Sequence, residues 1–73
     1  MEVKRMINVS SSNLRAVDYN PQTRTLTIEF RSGHIYEYYN VAQNVFDGLL
    51  AAYSKGKYHH RYIKNRYSYR RIR

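Results

Sequence analysis

Thr25-Leu26-Thr27-Ile28-Glu29-Phe30-Arg31-Ser32-Gly33-His34-Ile35-Tyr36-Glu37-Tyr38 is the stretch that decides the fold. From Thr25 to Arg31 the residues alternate, with Leu26, Ile28 and Phe30 on one side and Thr25, Thr27, Glu29 and Arg31 on the other. Period-two patterning of this kind marks a half-buried strand. Gly33 ends it and starts a hairpin whose parity can be argued. A two-residue loop, Ser32-Gly33, would set the Glu37 carboxylate opposite Ile28 on the core face. A three-residue loop, Arg31-Ser32-Gly33, gives Gly33 the left-handed position such loops require. It also sets Tyr36 opposite Ile28 and Tyr38 opposite Leu26, and turns Glu37 to solvent beside Thr27. The second register satisfies both turn and burial. It predicts Tyr36 and Tyr38 as core-facing rings with their hydroxyls at the rim.

Upstream, Asn20-Pro21-Gln22-Thr23 is a type I turn signal, with proline where its fixed φ is needed. Leu14 to Tyr19 reads as a strand, with Arg15, Val17 and Tyr19 on one face and Leu14, Ala16 and Asp18 on the other. Ser10-Ser11-Ser12-Asn13 reads as a turn or bulge, and residues 3–9 as a short strand. Downstream, Asn40 is placed to cap a helix with Gln43 reciprocating. Val41, Val45, Phe46, Leu49, Leu50 and Tyr53 then mark one helical face. Gly48 inside this helix implies a close approach, and Gly56 is expected to end it. A second helix, from Lys57 to Asn65, would bury Tyr58, Tyr62 and Ile63. Arg66 to Arg73 shows no clear period and is expected as an extended or irregular tail. The expected fold is α+β: a small antiparallel β-meander of three to four strands, then two C-terminal helices packed on one face.

The chain has 73 residues, nine of them Tyr, with no Cys and no Trp. That length holds one domain, residues 1–73, and a thin core that the tyrosines must help to fill. Without cysteine there is no disulfide framework or thiolate chemistry, and the composition fits a reducing cytoplasm. No apolar run approaches a membrane span, and the N-terminus lacks the apolar segment of a signal peptide.

The net charge of +8 is unevenly divided. Residues 1–47 hold every acid (Glu2, Asp18, Glu29, Glu37, Asp47) balanced by Lys4, Arg5, Arg15, Arg24 and Arg31. The excess lies wholly in Lys55, Lys57, Arg61, Lys64, Arg66, Arg70, Arg71 and Arg73, within a basic C-terminal third, 55–73. Like charges so concentrated call for an anionic partner. Tyr53, Tyr58, Tyr62, Tyr67 and Tyr69 share the region, and rings among cations suit unpaired bases better than a membrane surface. Tyr58 and Tyr62, four apart, read first as a buried helix face. Tyr67 and Tyr69, flanked by Arg66, Arg70 and Arg71, are the stacking candidates, and all eight cations are the phosphate candidates.

Catalytic signals are sparse. The rings of His59 and His60 diverge by about 100° on a helix and cannot chelate together, and His34 would have to converge from the hairpin. No phosphate-cradling glycine motif occurs, and no metal or cofactor is implied. The expected protein is therefore a non-enzymatic binder of RNA or other single-stranded nucleic acid. One alternative is a module docking on an acidic protein surface. Another is a metal-independent ribonuclease using Tyr58, His59, Arg61 and Arg70.

Six segments follow one another in order: Ser11-Ser12-Asn13-Leu14, Val17-x-Tyr19, Leu26-x-Ile28-x-Phe30, Gly33-x-x-Tyr36-x-Tyr38, Val45-Phe46-x-x-Leu49-Leu50 and Ser54-x-Gly56-x-Tyr58. This ordered set, over about residues 8–67, resembles the KTSC domain, named after its occurrence at the C-terminus of some lysyl-tRNA synthetases and found also in small stand-alone bacterial or phage proteins. The sequence departs from the family pattern at Ala42, where proline is common, and at Asp18, where glycine often precedes the tyrosine. The synthetase context implies RNA as a partner.

Overall fold

The computed structural model describes residues 6–73. Five antiparallel strands form one sheet in sequence order: β1 (Ile7–Asn8), β2 (Leu14–Asn20), β3 (Thr25–Phe30), β4 (Ile35–Tyr38) and β5 (Tyr69–Arg71). Helix α1 (Gln43–Ala51), helix α2 (Lys55–Tyr58) and a π-helical turn (His59–Ile63) lie between β4 and β5. Residues 3–9 contribute only Ile7 and Asn8 as strand; the expected portion at 3–5 lies outside the described residues.

The β3–β4 hairpin has the register expected from its sequence, with Leu26 opposite Tyr38, Thr27 opposite Glu37 and Ile28 opposite Tyr36. Gly33 adopts φ 98°, and its N–H donates to the Phe30 carbonyl at 2.9 Å. That conformation is costly for any residue with a Cβ. Strand β2 departs from simple alternation. The pairing slips between Leu14 and Ala16, so Leu14 and Val17 both enter the core while Arg15 turns out toward Glu29, 3.8 Å away. A bulge changes facing parity in just this way.

Leu14, Val17, Leu26, Ile28 and Tyr38 from the sheet pack against Val41, Phe46, Leu49 and Ile63. Tyr19 stacks on Phe46 at 5.1 Å and donates its hydroxyl proton to the Val41 carbonyl. This fixes the chain where it leaves the sheet.

The expected helix boundaries need correction. Asn40 does not cap α1; it takes the left-handed conformation, φ 62°, a geometry that asparagine tolerates unusually well. Ala42 is the N-cap and offers no side-chain bond. Leu50 is exposed within the helix, and Tyr53, beyond its end at Ala51, is exposed as well, so neither joins a buried face. Gly56 lies inside α2, which Ser54 caps by accepting the Lys57 N–H at 3.3 Å. Gly48 does mark a close approach, but to a side chain: a Cβ there would fall on the Tyr58 hydroxyl, which donates to the Val45 carbonyl at 3.0 Å.

The second helix differs most. In the π-helical turn the Lys64 N–H reaches back to the His59 carbonyl at 2.8 Å, adding a residue to the ring. The wider turn brings His59 and Ile63 inward and leaves Tyr62 exposed. The chain beyond is no tail. β5 pairs with β4, making five strands where three or four were expected. Among the described residues no helix is long and apolar enough to cross a membrane.

Candidate nucleic-acid interface

The sheet face that carries Leu26 and Ile28 extends sideways through β4 and β5 beyond α1. Register sets Tyr38 opposite Tyr69 and Tyr36 opposite Arg71, so these four side chains share that face. Tyr36 and Tyr38 stack at 6.2 Å and 20°, and Tyr69 completes a triangle at 5.7 Å from Tyr36 and 6.0 Å from Tyr38. Phe30 meets Tyr36 edge-on at 5.7 Å and His59 at 5.1 Å. These rings are the floor of an open cleft of about 370 Å³ whose far wall is Gly56, His59, His60 and Lys64.

The cleft narrows inward to a buried polar pair. Tyr38 is 4% exposed and His59 7%, and Tyr38 Oη lies 2.8 Å from His59 Nε2. Burial pushes the His59 imidazole down to about 4, with the Lys64 and His60 charges adding to the effect. Burial, then Tyr36 and Tyr69, pushes the Tyr38 phenol up to about 12. At neutral pH both groups are uncharged, and they share a neutral hydrogen bond whose donor follows the imidazole tautomer. The Tyr38 hydroxyl is thus not at the rim, as its position in the hairpin implied, but buried against a partner 21 residues away.

The cationic residues are distributed around this cleft and beyond it. Lys64 and Tyr69 line it, and Arg71 adjoins it on the same face of β5. Arg73 reaches its mouth through its backbone carbonyl, 3.3 Å from His34 Nδ1. Arg70 lies on the opposite face of β5, across from Glu37, whose carboxylate accepts the Tyr39 hydroxyl at 2.9 Å. Lys57 and Arg61 are exposed on α2 and the π-helical turn, and Lys55 turns back to the Ala52 carbonyl at 3.0 Å. Arg66 holds the Arg61 carbonyl at 3.1 Å and, with Tyr67, borders a separate hollow next to Tyr39 and Asn40.

The two stacking candidates therefore part company. Tyr69 is 56% exposed at the cleft, whereas Tyr67 is half-buried and packed against the core. Sequence reasoning did not assign Phe30, Tyr36, Tyr38 or His59 to the interface. Their alternation across the hairpin was the available signal for the first three; His59 entered only through the ribonuclease alternative. The acid–base atoms considered for a ribonuclease are engaged elsewhere, Tyr58 Oη with Val45 and His59 Nε2 with Tyr38. Among the described residues no group of three or more His, Asp or Glu is arranged to hold a metal ion.

Comparison with known proteins agrees with this architecture. The family model of the KTSC domain matches residues 10–67. The chain is 42% identical over 67 residues to a lysine–tRNA ligase of Nostoc sp. (strain PCC 7120), covering 92% of this chain and 12% of the ligase. It is 41% identical over 59 residues to a small protein of Tsukamurella paurometabola, covering 81% of this chain and 88% of that one. The crystal structure of a KTSC domain protein from Yersinia pestis superimposes with a TM-score of 0.93 at 31% identity, over 97% of this chain and all of that one. The chain thus spans about an eighth of the ligase it resembles, and the likeness to the ligase concerns this module alone. Matched in sequence over most of its length and in structure over nearly all of it, the chain belongs to the KTSC domain family.

Proposed function

We propose that this chain is a non-enzymatic module that binds single-stranded nucleic acid, RNA foremost, through its basic C-terminal third. One observation carries the reading: the acid-free stretch 48–73, with its eight cations, sets Lys64 on the wall and Arg71 at the edge of a cleft that is floored by tyrosines and lined, among the described residues, by no carboxylate. Phosphates are met by the cations, Lys55, Lys57, Arg61, Lys64, Arg66, Arg70, Arg71 and Arg73, and unpaired bases by rings. Kinship to a module of lysine–tRNA ligases supports it, since those enzymes act on an RNA. A cysteine-free chain suits the reducing cytoplasm where such a partner is found.

The test is fluorescence anisotropy of a labelled single-stranded RNA across a salt series. Neutralisation of about four to six phosphates gives a slope of log K against log salt of roughly −3 to −4. Absence of binding at low salt, or an affinity flat with salt, would refute the reading.

A further inference from the structure

We infer that the cleft between β4–β5 and the α2–π-turn wall is a seat for one unpaired nucleobase, with the phosphate beside it held by Lys64 and Arg71. The inference rests on the proposed function and deepens it, because it turns a diffuse basic surface into a particular site. The volume, about 370 Å³, falls within the size range of small-ligand pockets, roughly 300–1,000 Å³.

Its chemistry is divided as a nucleotide's is. The floor is aromatic, and Tyr69 is 56% exposed there, although its ring neighbours Tyr36 and Tyr38. A tyrosine so exposed on such a face offers a π surface to stack against. Tyr38 is not available as a polar contact, since His59 holds its hydroxyl. The base-edge contacts therefore fall to the polar rim, where Asn13, Ser32 and Asn65 carry amides and a hydroxyl. Lys64 lies on the wall, and Arg71 shares the face of Tyr36. Among the described residues no carboxylate lines the cleft, so none of them repels a phosphate there.

Gly56 gives the wall its setback. A Cβ at this position would meet only Asn13, at 3.6 Å, an ordinary contact. The backbone at 56 thus accepts a side chain, and because Gly56 lines the cleft, that side chain's size sets how much of the space stays open. A bulky side chain at 56 would fill the space without removing a charge.

The experiment compares wild type, Gly56→Phe and Tyr69→Ala, with folding of each checked by circular dichroism. The probes are a short fluorescein-labelled oligouridylate, a duplex RNA and inorganic polyphosphate as a base-free polyanion. Each substitution is expected to weaken oligouridylate binding about tenfold. The salt slope, duplex affinity and polyphosphate affinity should stay at wild-type values. Should Gly56→Phe fail to fold, Tyr69→Ala decides alone, because its exposed ring contributes little to the core. If wild type binds oligouridylate and the folded variants bind equally well, the seat is overturned and charge-based binding stands. Equal losses on polyphosphate would likewise overturn it, since no base is involved. If wild type binds no probe, the proposed function fails, and the seat with it.

Discussion

On the acid side the Tyr38–His59 pair makes stability depend on pH through His59. His59 is depressed to about 4 from an ordinary value of 6.5. Between those values the unfolded chain takes up a proton that the folded chain refuses, so stability falls as pH falls through this window. Below about 4 both states hold the proton and the loss is complete. With those two values the linkage relation gives a loss of about 2 kcal/mol between about pH 7 and pH 5. Little solvent screening applies, because His59 is only 7% exposed. Urea titrations should show it as a midpoint about 2 M lower at the acid end, taking a slope near 1 kcal/mol/M for a domain of this size. His59→Gln can still bond to Tyr38 but does not titrate. Its midpoint should shift far less over the same interval, whatever its stability at neutral pH. The carboxylates act alike in both proteins and cancel in the comparison. Equal acid losses in wild type and His59→Gln would refute the argument and assign the pH dependence to the carboxylates.

Other outcomes follow from the same contacts. Tyr38→Ala should cost about 3–5 kcal/mol in denaturant titrations, enough to unfold a small domain, while Tyr38→Phe should cost about 1–3 kcal/mol by leaving His59 without its partner. Because burial raises the Tyr38 phenol to about 12, wild type should also lose stability as pH rises from about 10 to about 12, and Tyr38→Phe should not show that component. Gly48→Ala should destabilise by about 1–3 kcal/mol despite alanine's better helix propensity, because its methyl displaces the Tyr58 hydroxyl from Val45; thermal melts would read this. Arg71→Gln should weaken RNA binding and make the salt slope shallower by about 0.7. Arg70→Gln should do less in the same anisotropy assay, since Arg70 lies on the other face of β5 opposite Glu37 of β4.

The parts of the fold that local chemistry determines could be read from the chain. The β3–β4 register followed from period-two burial and one left-handed glycine, both confined to fourteen residues. Core positions 26, 28, 46 and 49 followed from periodicity. What escaped depends on partners distant in sequence. Tyr69 pairs with Tyr38 and His59 bonds to Tyr38 across loops that no local pattern records. Asn40 carried two opposed signals, a capping side chain and a tolerance for positive φ, and the second prevailed. Gly56 was equally ambiguous between a helix end and a helix interior. For the proposed interface, the charge asymmetry points to the C-terminal third of the chain, but the cleft's floor comes mainly from the hairpin. A charge count could not reveal that floor. The π-helical turn, which breaks the 3.6-residue phase, explains why Tyr62 is outside and His59 inside.

Strand β5 is short, wholly exposed and joined to the sheet on one edge only. Its neighbour β4 precedes it by some thirty residues, so their pairing closes a long loop, whereas β2–β3 and β3–β4 are hairpins. Closing that loop carries an entropy cost the hairpins avoid, and few buried atoms offset it. The last strand is therefore the segment expected to detach first while the core stays intact. Its amides at the pairing positions should exchange with deuterium ahead of those of β3, and Tyr69 would leave with it. A ligand bridging Tyr69 to the opposite wall would slow that exchange, so order at the edge of the sheet and occupancy of the cleft become one equilibrium.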